Sequence, residues 1–225
     1  MPRFLIPILR PAELEPSAAA ELIDGELSAL FLSLDGLEKL SVEREIKGPM
    51  TFNTARDGGV VFAAMFTVDG SERGEVEALF PRIRDAGFEL YAYEVAPDLP
   101  LDYEQTWPVG EDSPGARQLS FLRKKPGLDD ERFIHHWYQI HGPLAMRVHP
   151  LYRYDRNRVI ARLTEESPDF QGIVGLHFRE LEDITDPIRL YGGDAANMKV
   201  IMDDVRQFID LSTMMIGVTR ERLLR

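Results

Sequence analysis

The sequence of 225 residues contains no cysteine. Disulfides, thiolate nucleophiles, and zinc or iron–sulfur sites bound through cysteine are therefore excluded. No segment approaches the roughly 18 uninterrupted apolar residues of a transmembrane helix. The N-terminus is interrupted by prolines and does not have the pattern of a signal peptide. These absences predict a soluble, cytoplasmic protein.

Positive charge is also in short supply. The chain has 26 Lys and Arg against 38 Asp and Glu, which gives a net charge of −12. Such a surface repels nucleic-acid phosphates and anionic membranes, so neither is an expected partner. The nucleotide-binding motifs GxGxxG and GxxxxGKS/T are missing, and so is the GxSxG motif of serine hydrolases. We therefore expect no cofactor.

The sequence does contain a pattern of secondary structure that occurs twice. Hydrophobic residues make up 44% of the chain, enough for a sizeable core. Apolar spacing in the first half predicts strand, helix, strand, strand, helix and strand, in segments 3–10, 17–34, 37–46, 58–68, 70–87 and 88–96. The second half predicts the same order, in segments 117–124, 129–149, 151–161, 170–181, 197–210 and 214–224. A turn at Asp57-Gly58-Gly59 is expected before the third strand.

This order predicts the fold class. One βαββαβ unit folds as a four-stranded antiparallel sheet with both helices on one face. The other face also needs a cover, because strands such as VVFAAMF and GIVGLHF are apolar on both faces. We therefore predict an α+β fold of two tandem ferredoxin-like repeats that pack sheet to sheet, as a sandwich or closed barrel. The predicted domains are an N-terminal repeat at 1–97, a linker rich in Pro, Gly and acids at 98–116, and a C-terminal repeat at 117–225.

Three of the five histidines lie in one short stretch, FIHHWYQIHGPLA. Asp129 is a suitable N-cap, so a helix is predicted from Asp130 to about Val148. At about 100° per residue, His141 lies within an apolar stripe on this helix, His136 lies at its edge, and His135 points to the opposite side. The predicted stripe consists of Phe133, Trp137, Ile140, Leu144 and Val148.

The position of His141 has two interpretations. A ring with an unperturbed pKa of about 6.5, on the face that packs against the sheet, could act as a general acid–base. It could also be a structural histidine whose two ring nitrogens are satisfied by hydrogen bonds. A metal site is not expected, because the histidine spacings differ from the i,i+4 pair that helical metal sites use.

Several ordered motifs resemble the EthD family of the dimeric α/β-barrel superfamily: FLRKKPGLDDERFIHHWYQIHGPLA, YRYDRNRV, DFQGIVGLHFRELED and FIDLS. The resemblance runs from about Gln118 to Ser212, and the first repeat looks like a degenerate copy without this signature. The matching positions are Phe133, Trp137, the His141-Gly142-Pro143 triplet, Asn157, Gly172 and Phe178. The resemblance implies relatives that process small aromatic or polyketide-derived molecules without cofactors, as decarboxylases, dehydratases, cyclases, isomerases or monooxygenases. In such enzymes the pocket lies between the helices and the sheet.

The resemblance makes His141 the leading candidate for the acid–base. Tyr152 and Tyr154 share one face of the predicted strand and would stabilise developing negative charge. Substrate contacts are predicted from Phe133, Trp137, Asn157 and His177. For His177 the alternation leaves two positions open, the pocket or the seam of the barrel.

The function predicted from these features is a cofactor-independent lyase or isomerase, of decarboxylase, dehydratase or cyclase type, in aromatic compound catabolism. Its partner would be a small aromatic or hydrophobic substrate, no metal is expected, and the chain could form a homodimer. Two alternatives remain open. One is a ligand-binding or stress-related barrel without chemistry, in which His141 is structural. The other is a barrel that binds haem through a helical histidine.

Overall fold

The computed structural model describes residues 1–47 and 61–225. These residues contain nine strands, labelled in chain order: β1 (Arg3–Arg10), β2 (Lys39–Lys47), β3 (Val61–Asp69), β4 (Glu89–Leu90), β5 (Tyr93–Leu101), β6 (Ala116–Leu122), β7 (Leu151–Arg162), β8 (Gly172–Phe178) and β9 (Met215–Leu223). Every strand pair is antiparallel.

Eight of the strands form a closed barrel in the order β1-β3-β2-β9-β6-β8-β7-β5, and β5 returns to β1. The short β4, which precedes β5 in the chain, pairs with β1 at Ile8 and Leu9. The two halves of the chain meet twice, where β2 pairs with β9 and where β5 pairs with β7. Closure therefore pairs both outer strands of each half with a strand of the other half.

The helices lie outside the barrel, two long helical regions in each half. The first region has three parts, Pro16–Leu22, a π-helical turn at Ile23–Leu27, and Ser28–Leu32, and the second has two, Arg73–Glu77 and Phe80–Asp85. In the second half, the histidine helix consists of Asp130–His135, a π-helical turn at His136–His141, and Gly142–Val148. Two short helices, Glu182–Thr185 and Pro187–Leu190, precede the C-terminal helix, Ala195–Phe208.

Side chains alternate between the inside and the outside of the barrel along each strand. On β1, Phe4, Ile6 and Ile8 pack under the N-terminal helices, while Leu5 and Leu9 join an apolar cluster inside the barrel. A third apolar cluster lies between the C-terminal helices and the sheet and includes Phe133, Trp137 and Phe208. The protein therefore has two helix–sheet cores and one barrel core.

One part of the barrel interior is charged. Arg117 is 2% exposed and forms ion pairs with Glu43 of β2 and Asp155 of β7. Arg153, also on β7, pairs with Glu221 of β9 at 2.9 Å. Buried ions are tolerated when opposite charges and hydrogen bonds surround them. The ion pairs join strands from both halves of the chain.

The α+β class and the barrel closure agree with the sequence-based prediction. Other parts of the prediction differ from the structure, and the strand predicted at 88–96 is split into β4 and β5. The predicted linker at 98–116 begins inside β5, which continues to Leu101 because it pairs with β7. The two helices at 182–190 were not predicted. Ile140 is 45% exposed and does not belong to the apolar stripe, because the π turn rotates the helix at this point. The predicted turn at Asp57-Gly58-Gly59 lies outside the described residues.

Candidate functional site

The histidine helix begins where its sequence predicts. The side chain of Asp129 accepts a hydrogen bond from the backbone N–H of Arg132 at 2.8 Å, which caps the first turn. Gly127 precedes it with φ +83°, a left-handed conformation that glycine adopts without strain. Just before this turn, the backbone N–H of Lys125 donates to the carbonyl of Phe208. The start of the histidine helix is therefore tied to the end of the C-terminal helix.

The π turn brings two histidines to one side of the helix. On a regular α-helix, residues five apart point about 140° away from each other. In a π turn the hydrogen bonds connect residues five apart, so His136 and His141 lie above one another. Both rings reach the same carboxylate of the C-terminal helix: His136 Nε2 lies 2.9 Å from Asp204 Oδ1, and His141 Nδ1 lies 2.7 Å from Asp204 Oδ2.

Asp204 has the charge state that this arrangement needs. Burial raises the pKa of its carboxyl group, but the hydrogen bonds from His141 and His136 outweigh that effect and hold the pKa below its usual value. Asp204 is therefore ionised at neutral pH and accepts the Nδ1–H of His141. In the neutral form of the ring this leaves Nε2 of His141 with a lone pair, and the side chain is 14% exposed.

Phe208 supports both histidine rings. Its ring centroid lies 4.7 Å from that of His136, in a stacked arrangement, and 5.1 Å from that of His141. Phe208 is fully buried and packs in turn on Phe133, with ring centroids 5.8 Å apart. The imidazoles therefore have an apolar side against Phe208 and a charged partner in Asp204.

A cleft of about 580 Å³ opens beside this cluster. It reaches His136 but does not include His141 in its lining, and its walls are mostly polar or charged: Asp129, Glu131, Arg132, His135, His136 and Gln207. His135 is exposed there, as the sequence predicts.

Two predicted substrate-binding residues lie beneath the cluster rather than on its surface. Phe133 is 1% exposed and Trp137 is fully buried. The Trp137 ring packs so closely on Gly172 that a Cβ at that glycine would lie 2.5 Å from the ring. Tyr154 is 1% exposed, and its hydroxyl is hydrogen-bonded to Trp137. Burial raises the pKa of Tyr154 to about 12, which keeps it protonated.

The other predicted site residues lie apart from His141. The hydroxyl of Tyr152 donates to the carbonyl of Pro114 at 2.7 Å, and its ring lies 6.1 Å from that of His177. His177 is 1% exposed and lies inside the barrel. The barrel was one of the two positions predicted for this side chain. Burial, followed by the nearby Arg117 and Arg153, holds the pKa of His177 well below its ordinary value. Asn157 is fully buried and donates to Asp155 at 2.8 Å.

The sequence-based reasoning missed Asp204 and Phe208 and treated His136 as a rim residue. The sequence did contain a pattern that favoured Asp204 and Phe208 as neighbours. They are four residues apart, so they share one face of the C-terminal helix, next to the buried Val205. Among the residues that the structure describes, no group of three His, Asp or Glu side chains could hold a metal ion.

Within residues 1–47 and 61–225, no helix is both long enough and apolar enough to cross a membrane. Comparison with known structures gives the fold. An anthrone oxidase-like protein superposes with a TM-score of 0.65 at 9% identity, over 99% of this chain and 93% of that one. A "putative monooxygenase" from Fusobacterium nucleatum subsp. nucleatum has a TM-score of 0.51 at 10% identity, over 100% and 93% of the two chains.

Sequence comparison finds one similarity, in the C-terminal half. No curated protein sequence matches the chain. The family model described as the EthD domain matches residues 125–212, a range that contains the histidine helix, β7, β8 and the C-terminal helix. The part of the chain that is similar to the EthD domain therefore contains both the paired histidines and the carboxylate that holds them.

Proposed function

We propose that the protein is an enzyme that moves a proton on a small molecule, with His141 as the general acid–base and Asp204 as its positioning residue. The observation that carries this proposal is the 2.7 Å hydrogen bond between His141 Nδ1 and Asp204 Oδ2. It fixes the tautomer in which Nε2 has a lone pair, the form that a general base requires.

The chemistry follows from this pair. Nε2 of His141 takes a proton from the substrate, and the imidazolium that forms is stabilised by the ionised Asp204, which does not itself take the proton. The same imidazolium then returns the proton to another atom of the substrate or to a leaving group. No oxidant or cofactor is needed for such a transfer, so the proposed reaction class is that of a lyase or isomerase.

The proposed substrate is a small aromatic or hydrophobic compound. The resemblance of residues 125–212 to the EthD domain supports this class. The names of the similar structures suggest a second candidate, oxidation of an aromatic compound by oxygen. Deprotonation by His141 would be the first step in either case, and oxygen consumption distinguishes the two.

The roles predicted for the remaining site residues stay predictions. Trp137 and Tyr154 form one hydrogen-bonded pair under the histidine helix, so they support the turn that carries His141. Contact between either side chain and a substrate would need the helix to move. For Tyr152, Asn157 and His177 we propose a part in the barrel interior and its rim rather than beside His141.

We also propose that the chain consists of two tandem ferredoxin-like repeats, bounded as 1–97 and 117–225. In support, the strand order is β5-β1-β3-β2 in the first half and β9-β6-β8-β7 in the second. Both first helices contain a π turn. From the first strand of each half to the second, the two halves can be aligned at a spacing of 114 positions. Arg3 then corresponds to Arg117, and both side chains are buried in the barrel. At that spacing Leu27 corresponds to His141, so the N-terminal repeat has no acid–base of its own.

The test begins with a thermal-shift screen of phenolic acids, polycyclic phenols and lactones on the wild-type protein. A stabilising compound is then assayed for turnover, with oxygen consumption recorded. His141→Ala should lower kcat by about 10²-fold to 10⁴-fold, and Asp204→Asn should lower it less while moving its pH dependence. Gln139→Ala, an exposed change in the same π turn, is the matched control.

Two results would remove the proposal. In one, a folded His141→Ala protein turns over the substrate at the wild-type rate. In the other, nothing binds and the variant merely melts earlier, in which case the histidine is structural. A visible absorption spectrum after addition of haem tests the haem-binding alternative, and sedimentation velocity tests the predicted homodimer.

A further inference from the structure

A second cavity lies in the N-terminal half, away from the histidines. Its volume is about 740 Å³, within the range of small-molecule sites. It lies between the first helical region and the ends of β1, β2 and β9. Its apolar wall includes Ala20, Ile46 and Ala63. We name it the N-terminal cavity.

The cavity is open because small residues stand where the other half has large ones. The corresponding cavity of the C-terminal half measures about 370 Å³ and is lined by Phe133 and Ile134. A spacing of 114 positions relates Arg10 of one cavity to Lys124 of the other. At the same spacing, the residues of the N-terminal half that correspond to Phe133 and Ile134 are Ala19 and Ala20. One half has thus filled this space with its own side chains, and the other has left it available to a ligand.

Four arginines surround the N-terminal cavity, and two of them already have carboxylate partners. Arg44 pairs with Asp24 and with Asp112, and Arg222 pairs with the same two carboxylates. These four groups form a closed set of two positive and two negative charges. They therefore leave little net charge for a ligand.

The other two arginines, Arg10 and Arg220, are bound by carbonyl oxygens only. Arg10 Nη1 donates to the carbonyl of Leu14 at 2.7 Å, and Arg220 Nε donates to that of Gly115 at 3.1 Å. In residues 1–47 and 61–225, neither has an ion pair with a carboxylate. Glu45 also lines the cavity, so outside the closed set the lining carries two positive charges and one negative charge. In a chain with a net charge of −12, this local surplus of positive charge favours an anion.

From the open volume, the apolar wall and the two arginines, we propose that the N-terminal cavity binds an apolar carboxylate. The ring or chain of the ligand would pack on Ala20 and Ile46, and its carboxylate would accept hydrogen bonds from Arg10 and Arg220. This site is distinct from the one at His141 and does not depend on the proposed function.

The first experiment is isothermal titration of the 225-residue chain with 2-naphthoate. The neutral 2-naphthol tests the need for the charge, and acetate tests the need for the ring. We expect binding of naphthoate and at least a tenfold higher Kd for each of the other two compounds. Equal affinity for naphthol would overturn the proposal, because the arginines would then contribute nothing.

Variants locate the bound probe. Arg10→Gln and Arg220→Gln should each raise the Kd for naphthoate about tenfold, since each removes a charge-assisted hydrogen bond. Arg82→Gln, an exposed change on another helix, is the control for net charge and should leave the Kd unchanged. Ala20→Leu should abolish binding by filling the cavity, whereas Ala18→Leu, two residues earlier on the same helix, should not.

A result with His141→Ala separates the two sites. The proposal requires that this variant bind naphthoate as the wild type does. If His141→Ala abolished binding while the folded Ala20→Leu protein bound normally, the probe would occupy the histidine site and the N-terminal cavity would have no ligand.

Discussion

Arg117 occupies the space in which a side chain of Gly175 would lie. A Cβ built on Gly175 would be 1.7 Å from Nε of Arg117. The two residues are diagonal neighbours on adjacent strands, since Arg117 lies opposite His177 and Gly175 lies opposite Leu119. The guanidinium has no room to retreat, because it is 2% exposed and held by Glu43 and Asp155. The glycine is therefore required by a charged partner rather than by its own backbone conformation.

Gly175→Ala should consequently be one of the most destabilising single-methyl changes in this chain. The methyl group would displace Arg117 from its carboxylates and leave buried charges unpaired, at a cost of about 3–5 kcal/mol in the free energy of unfolding. Urea denaturation measures it. Gly74→Ala is the control, since nothing lies within 4 Å of that position and alanine favours a helix. Equal midpoints for the two variants would contradict the packing described.

Gly172 has the same relation to an aromatic ring. A Cβ there would lie 2.5 Å from the fully buried Trp137. We expect Gly172→Ala to destabilise the protein by about 1–3 kcal/mol through overpacking. The second change Trp137→Phe should recover part of this loss, because the smaller ring leaves room for the methyl group.

Gly142→Ala is the comparison for this prediction. Its Cβ would meet Nη1 of Arg156 at 2.4 Å and the carbonyl oxygen of Trp137 at 3.2 Å. Within the described residues, Arg156 is paired with Asp98 alone among the carboxylates and contacts the Cβ through one terminal nitrogen, whereas at Gly172 the contact is with a rigid ring. The variant should therefore lose less stability than Gly172→Ala. The double-mutant cycle in urea decides the matter: additive effects at Gly172 and Trp137 would show that the two residues do not interact.

Much of the fold could be predicted from the sequence because strands and helices differ in apolar period. The short apolar run RFLIPILR predicted the bounds of β1, and the Asp129 cap predicted the start of the histidine helix. The extent of β5 could not be predicted in this way. Residues 98–101 have the composition of a linker, yet they form a strand because β7 lies beside them.

The candidate site was harder to predict for a physical reason. The π turn is not coded by helix propensity, and without it His136 and His141 would be assigned to different faces. Their shared partner, Asp204, is more than sixty residues away along the chain, and only tertiary packing brings it near. Local patterns identified His141 as unusual, whereas the hydrogen bond that gives it a chemical role belongs to the folded molecule.

Burial of His177 predicts a pH dependence of stability. In the folded protein its pKa lies well below 6.5, through burial and then through Arg117 and Arg153. Below about pH 6.5 the unfolded chain therefore binds a proton that the folded chain does not. The free energy of unfolding should fall as the pH falls, by up to about 1.4 kcal/mol per pH unit for each such histidine.

The measurement is urea unfolding between pH 7.5 and 5.5, on the wild type and on His177→Gln. The variant should have the shallower slope. Some slope should remain, because burial also lowers the pKa of His149. A wild-type slope of zero across this range would refute the expected difference in bound protons, and an unchanged slope in the variant would assign it to other groups.

The hydrogen bond between Asp204 and His141 predicts a single tautomer of the histidine ring. In the neutral form of the ring, the ionised Asp204 holds the proton of His141 on Nδ1 and leaves Nε2 without one, so the two ring nitrogens of that form should have clearly separated ¹⁵N chemical shifts, which we would record at pH 8. Long-range ¹H–¹⁵N spectra of labelled protein measure this directly.

Asp204→Asn should remove the preference, since an amide can donate as well as accept and no longer requires Nδ1–H. The variant Asp203→Asn is a close control, because that neighbouring carboxylate pairs with Lys199 and Arg206 on the surface instead. If wild type and Asp204→Asn gave the same ¹⁵N shifts for His141, the carboxylate would not be orienting the ring, and the proton-transfer role proposed for His141 would lose its structural basis.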